Sequence, residues 1–378
     1  MNELFPVTDR LIHLNHAAVG PWPRVTADAV KAFADENAEL GSLHYPRWEA
    51  KERQLRRDLA RLLNAVGEEE IALVKNTSEG LSMVAYGLDW RPGDNVVGIR
   101  QEFPSNRFVW QSLSEQGVEF RQLDLTATED PEQALIELCD TRTRVLSVSA
   151  VQYADGLRMD LPRLGGFCRD RGILFCVDAI QQIGALPFDV QAISCDVAVA
   201  DGHKWLLAPE GLGVMYVRNA VQDRLRPLQY GWHMVEPLED YAQSDFRVLD
   251  NARRFEAGSP NTLGIHALQA SVALLLEQGM ERIGERVHDN SRHLIEGLRR
   301  IDGAELLTDA RDSRLSGIVT FRPGWLDPKR LFKRLIGKRI LCAARGGGIR
   351  LSPHFYVPRS QLDEALAVIA EEMQRERQ

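Results

Sequence analysis

The sequence predicts an α/β fold, a mostly parallel seven-stranded sheet followed by a smaller α+β unit, and three observations carry that reading. Seven short apolar runs rich in valine, isoleucine and leucine recur between residues 71 and 217. Amphipathic stretches with helical spacing separate several of them. After about residue 260 the pattern changes to two long helix-like stretches and then to short strands around a helix. Apolar strands that alternate with helices are buried on both faces, which favours parallel pairing.

The seven runs are IALVKN (71–76), DNVVGIR (94–100), VEFRQLDL (118–125), RVLSVSAV (144–151), ILFCVDA (173–179), DVAVADG (196–202) and GLGVMYV (211–217). Helices are expected over SEGLSMVAYGL, SNRFVWQSLSEQG and LPRLGGFCRDRG between them. Beyond residue 260, NTLGIHALQASVALLLEQG and MERIGERVHDNSRHLIEGLRRI read as long helices. SGIVTFR, ILCAAR and GIRLSPHFY read as strands around the helix DPKRLFKRLIGK, before a last helix RSQLDEALAVIAEEMQRER. Two prolines around a tryptophan (GPWP) end an expected irregular arm, residues 1–20, running over the surface. The division expected is therefore the arm, a large unit over 21–260, and a smaller α+β unit over 261–378 that begins with a bridging helix.

Hydrophobic residues are 44% of the 378 and charged residues 26%, enough apolar matter for a large core. Formal charge is 46 minus 54, or −8, with the signs interspersed, so neither nucleic acid nor an anionic membrane is an expected partner. No apolar run is long enough to cross a bilayer, and the start MNELFPVTDR lacks the pattern of a signal peptide. Five scattered cysteines, none in a CxxC pair, fit a reducing cytoplasm and no metal site.

Ligands of open parallel sheets bind at the carboxyl ends of strands, so the residues after each apolar run carry the chemistry. Lys204 lies in a turn between two such runs, where desolvation turns an ammonium into a nucleophilic amine; the flanking Trp205, Leu206 and Leu207 argue against a plain surface loop. Asp178 closes an apolar strand and either caps the next helix or meets a positive partner. Thr77 and Ser78 in NTSEGL set hydroxyls and amides at a helix N-terminus, suited to phosphate or to a cap with Glu79. In GGGIRLSPHFY three glycines permit close backbone approach, and Arg350 offers a fork for a carboxylate, or else a solvated turn.

ADGHKWLLAPEGLGVMYV resembles the cofactor-lysine segment of the class V aminotransferase family, fold-type I enzymes of pyridoxal 5′-phosphate (PLP). KNTSEGL, QEFPSN, VDAIQ, RRFEAGSPNT and IRLSPHFY follow in the family's order, from LNHAAVG to the last helix. The resemblance implies an enzyme acting at the α-carbon of an amino acid, as an aminotransferase, a C–S or C–Se lyase, or an epimerase. It implies Lys204 as the Schiff-base and proton-shuttling lysine, Asp178 on the pyridinium nitrogen and Gln181 on the phenolic oxygen. It also implies Thr77, Ser78 and His203 on the phosphate, with Ser259 reaching in from a second subunit of a homodimer. Phe103 takes the stacking place that many relatives give to histidine, as kynureninases do. Arg350, with Gln152 and Tyr153 nearby, would hold the substrate carboxylate.

Three residues depart from the desulfurase pattern. Asp201 replaces a phosphate-touching serine, and Tyr153 replaces an asparagine. No cysteine lies between Arg345 and Arg350, and Cys342 reads as a core residue. The missing thiol disfavours sulfur transfer through a persulfide. A non-catalytic relative is the competing class. A nicotinamide enzyme is disfavoured, because no GxGxxG follows an early strand.

Overall fold

The computed structural model describes residues 3–236 and 245–376. The outermost residues of the expected arm and of the last helix, 1–2 and 377–378, lie outside the described residues. The chain opens with β1 (Ile12–His13), α1 (Arg24–Leu40) and α2 (Tyr45–Leu63). It continues through β2 (Ile71–Val74), α3 (Thr77–Gly87), β3 (Asn95–Ile99), α4 (Ser105–Gln111) and β4 (Glu119–Leu123). Next come α5 (Pro131–Leu138), β5 (Thr143–Ser149), α6 (Leu161–Arg171), β6 (Leu174–Asp178), α7 (Val190–Ile193), β7 (Val197–Asp201) and β8 (Gly213–Val217). A short antiparallel pair, β9 (Val235–Glu236) with β10 (Arg247–Val248), precedes α8 (Thr262–Gln278) and α9 (Met280–Leu298). The chain ends with β11 (Ala304–Leu306), β12 (Val319–Pro323), α10 (Pro328–Gly337), β13 (Ile340–Leu341), β14 (Ala343–Arg345), β15 (Gly348–Leu351) and α11 (Arg359–Arg375).

The main sheet has seven strands in the order β2-β8-β7-β6-β5-β3-β4. Only β8 runs against its neighbours, so the carboxyl ends of the other six share one edge. Every residue of β2, β3, β6, β7 and β8 is buried, as a sheet covered on both faces requires. Side-chain caps at Asn76, Asp130, Asp160, Asn261 and Asp327 start α3, α5, α6, α8 and α10. The second sheet, β11-β12-β15-β14, is antiparallel and packs against α9 and α10. Among the described residues no helix is long and apolar enough to cross a membrane.

The first residues are not a surface arm. Phe5, Leu14 and His16 are fully buried, and Ile12 and His13 pair in parallel with Ile340 and Leu341. The Phe5 ring stacks on Tyr356 at 3.7 Å, and the Ser352 amide donates to the Leu14 carbonyl. The free edge of a distant strand supplies the partner that local pattern does not show. For the same reason ILCAAR forms two strands: β13 joins the arm and β14 joins the second sheet. α1 and α2, which the apolar pattern did not single out, pack on α8. α2 is polar overall and buries only a stripe, including Trp48, Leu55, Leu59 and Leu63.

Candidate active site

Five carboxyl ends of the sheet meet at one edge. β2 delivers Thr77 and Ser78, β3 delivers Phe103, β5 delivers Gln152 and Tyr153, β6 ends on Asp178, and β7 leads into His203 and Lys204. Lys204 sits in the turn between β7 and the reversed β8, and Gly20 of the arm closes over it. The Gly20 amide donates to the His203 carbonyl at 2.8 Å. A Cβ at position 20 would lie 2.3 Å from the Lys204 carbonyl oxygen, so only glycine lets the arm approach this closely.

Burial pushes the Lys204 ammonium down to about 8; Asp178 opposes that, while Arg350 and Arg345 add to it. The Asp178 carboxyl, at the end of β6, is raised to about 6 by burial, against the Ile180 amide it accepts from and the charge of Lys204. An uncharged amine and a nearby buried carboxylate are the pair that imine chemistry on a pyridine aldehyde requires.

Asn76, not Thr77 or Ser78, caps α3: its side chain accepts from the Glu79 amide at 2.9 Å. The amides of Thr77 and Ser78 are therefore left without intrahelical partners at the positive end of the helix. The Thr77 hydroxyl accepts from the Asp201 amide at 3.2 Å, which ties the start of α3 to the end of β7. The Asp201 carboxylate lies 3.0 Å from Nδ1 of His203. The anion that departs from the family pattern thus lies beside an imidazole, without a hydrogen bond between them, and need not oppose a phosphate.

Gln181 is buried, with Nε2 donating to the Ala17 carbonyl and Oε1 accepting from the Trp205 indole. One amide hydrogen of Gln181 remains for a ligand. Below that indole, His16 bonds the Ser352 carbonyl and the Tyr356 hydroxyl, and His354 bonds the Trp205 carbonyl. Burial holds these imidazoles neutral, with His354 and neighbouring His13 each lowered to about 4.

The outer wall is aromatic and cationic. The Phe103 ring lies 5.6 Å from Lys204 Nζ and meets Tyr153 edge-on at 5.3 Å. Arg350 is buried on β15 and donates from Nη1 to the Tyr153 carbonyl at 2.7 Å, while its Nε has no partner among the described residues. Gln152 is buried too, with Oε1 unpartnered. Buried polar atoms of this kind are normally satisfied, and these two belong to segments that meet where Arg350 bonds the Tyr153 carbonyl.

Ser259 stands apart from these residues. It is exposed, on a turn bordering a groove with Lys75, Glu79 and Gly211. Nearby Glu256 anchors that turn: with Glu52 it brackets the buried Arg56 at 2.5 Å on each side, and it accepts from the Leu73 amide.

Glu102, within QEFPSN, escaped the sequence reading. Its buried carboxyl accepts from the Ser149 amide at 2.7 Å, from the Ser149 hydroxyl, and from Gln152 Nε2 at 3.0 Å. Burial pushes it up to about 7, and the charge of Asp178 pushes the same way. Its sequence signal was a carboxylate three residues beyond the end of an apolar strand, a weaker form of the signal at Asp178, which ends its own strand.

These residues fit PLP by the chemistry of their donors. Two open helix amides, a hydroxyl and an imidazole suit a phosphate dianion. Asp178 suits a pyridinium, Lys204 an aldehyde, and Arg350 a carboxylate.

A family model, Aminotransferase class-V, matches residues 12–354. A probable cysteine desulfurase of Methanothermobacter thermautotrophicus is 32% identical over 368 residues, covering 91% of this chain and 90% of its own. A cysteine desulfurase of Salmonella typhimurium is 31% identical over 341 residues, covering 85% and 81%. Two solved structures share the fold. A C-DES variant with glycine covalently linked to its PLP cofactor has a TM-score of 0.92 at 23% identity, covering 98% and 99%. The apo cysteine desulfurase of Thermococcus onnurineus has 0.88 at 24% identity, covering 99% and 97%. With a family model over most of its length and relatives above 30% identity, this chain belongs to aminotransferase class V, a family of PLP-dependent enzymes.

Proposed function

We propose that this enzyme is a C–S lyase for a cysteine-type amino acid that releases sulfur on a small molecule, not on a thiol of its own. The relatives named cysteine desulfurase support the C–S bond as the target. The observation that carries the second half is the turn between Arg345 and Arg350, which holds glycine where a mobile thiol would be needed. Cys342 is buried beside it, its thiol pushed up to about 12 by burial. Burial also raises the other four thiols. Reactive cysteines need the opposite environment, exposed and near cations.

PLP, when bound, supplies an electron sink for the pair left at the substrate α-carbon when its proton departs. The other roles belong to the chain. Arg350 holds the α-carboxylate, and Gln152 Oε1, an acceptor, suits the substrate's amino group. Asp178 keeps the ring nitrogen protonated, and Thr77, Ser78 and His203 hold the phosphate. Gln181 gives its free amide hydrogen to the phenolic oxygen, and Phe103 covers the ring. Lys204 takes the α-proton as an amine. The Cα–H pair becomes the Cα–Cβ double bond as sulfur leaves with its own pair, and water completes the balance: cysteine and water give pyruvate, ammonia and hydrogen sulfide.

The same reading makes the molecule a homodimer whose Ser259 enters the neighbouring site. Exposed Tyr230 and Phe246, which touch each other, support such an interface. A monomer by light scattering with full cofactor would remove that role. Five unpaired cysteines suit a reducing cytoplasm.

Incubating the holoenzyme with L-cysteine and L-cystine tests the reaction. Pyruvate is the expected carbon product, at a rate that Cys342→Ala leaves within a factor of about two. Alanine as the product, with a persulfide labelled on Cys342, would overturn the proposal.

A further inference from the structure

The cations around Lys204 outnumber what one α-carboxylate needs. β14 and β15 form a hairpin with Ala343 opposite Arg350 and Arg345 opposite Gly348. Residues 343 and 345 share one face, so Arg345 and Arg350 are diagonal neighbours on it, roughly 7 Å apart at the backbone. The turn is Gly346-Gly347, both with positive φ (59° and 76°), as a two-residue hairpin loop of this hand requires. A Cβ at Gly346 would lie 3.1 Å from the Ala154 carbonyl oxygen, and Arg350 donates to the Tyr153 carbonyl. The hairpin face is therefore fixed against the segment that carries Tyr153, whose ring meets Phe103 beside Lys204 Nζ.

Among the described residues, no acidic side chain pairs with either guanidinium. Two acids act on Lys204 by charge, Asp178 and Asp201, and the carboxylate of the second lies 3.0 Å from His203 Nδ1. Arg345 also works against its neighbours, since its charge adds to the lowering of both Arg350 and Lys204. A cation that opposes the two beside it, on a rigid turn, is placed for an anion that arrives from solution.

We propose that the substrate is an α-amino acid whose side chain ends in a second anionic group, received by Arg345 while Arg350 holds the α-carboxylate. This rests on the amino-acid reading above and narrows it to substrates such as S-carboxyalkyl cysteines, whose far carboxylate sits a few bonds beyond sulfur.

The test uses two ligands of equal shape, S-carboxymethyl-L-cysteine and its neutral amide, S-carbamoylmethyl-L-cysteine. Each is titrated into the PLP-loaded enzyme and followed by the visible absorption of the bound cofactor. Because Arg345 is exposed, the expected preference for the carboxylate is modest, about three- to tenfold in Kd, and it shrinks with added salt. Arg345→Gln should bring the ratio to about one, and Arg345→Lys should retain part of it. Equal affinities in the unsubstituted enzyme, or a preference that survives Arg345→Gln, would overturn the inference. If neither ligand nor L-cysteine perturbs the spectrum, the amino-acid reading itself falls, and this inference with it.

Discussion

Replacing Glu102 with glutamine should stabilise this protein at alkaline pH and do nothing at acid pH. Glu102 Oε1 accepts from both the Ser149 amide and Gln152 Nε2, while Oε2 faces the Ser149 hydroxyl. A glutamine can put its carbonyl where Oε1 is and point its amide at the hydroxyl, which accepts as readily as it donates. All three bonds survive, so the substitution removes charge without removing contact. Burial raises this carboxyl from 4.5 to about 7, so the folded protein keeps a proton that the unfolded chain has lost. The stability from that difference is complete below pH 4.5 and is lost as pH rises through 7. At about 1.36 kcal/mol for each pH unit between those two values, the difference amounts to about 3 kcal/mol. For 378 residues the unfolding entropy is about 0.8 kcal/mol per degree, so the gain is about 4 °C in Tm. Thermal melts of both proteins at pH 5 and pH 8 provide the assay: near-equal Tm at pH 5 and a variant about 4 °C higher at pH 8. A variant that melts lower by the same amount at both values would refute the reasoning, because the carboxylate would then be valued for its bonds as an anion.

Three further outcomes follow from the same site. Lys204→Ala should fold but lack the visible absorption of covalently held cofactor, and an unchanged band would reassign that lysine. Gly20→Ala drives a methyl group into the Lys204 carbonyl and should cost about 1–3 kcal/mol, as overpacking does, with weaker cofactor retention; equilibrium unfolding and dialysis measure both. Acid should loosen the arm: with His13 and His354 lowered to about 4, the stability each gives is complete above pH 6.5 and is lost as pH falls towards 4, by about 3 kcal/mol apiece. Trp205 fluorescence reports it, since that indole packs on His16 and His354; an unchanged signal between pH 7 and 4.5 would count against the arm as the acid-sensitive element.

By itself the sequence determined the main sheet. β2 through β8 fall within the seven apolar runs but for Thr143 at the start of β5, because a strand buried on both faces needs an unbroken apolar stretch that is visible locally. It also marked the strand ends, so Thr77, Asp178 and Lys204 stood out by position before any geometry was known. Other features are encoded in pairs of distant residues and are silent in either one alone. The arm looks irregular until β13 offers it an edge, and Asp201 looks misplaced until His203 turns towards it. Arg345 and Arg350 are five positions apart in the sequence, yet the hairpin register sets them on one face. Glu102 was legible as a carboxylate after a strand, but only the tertiary structure placed Ser149 and Gln152 around it and excluded water. Local pattern records what each segment must bury; burial, charge coupling and hydrogen-bond partners are set by segments meeting across the chain, and those decided the chemistry of the site.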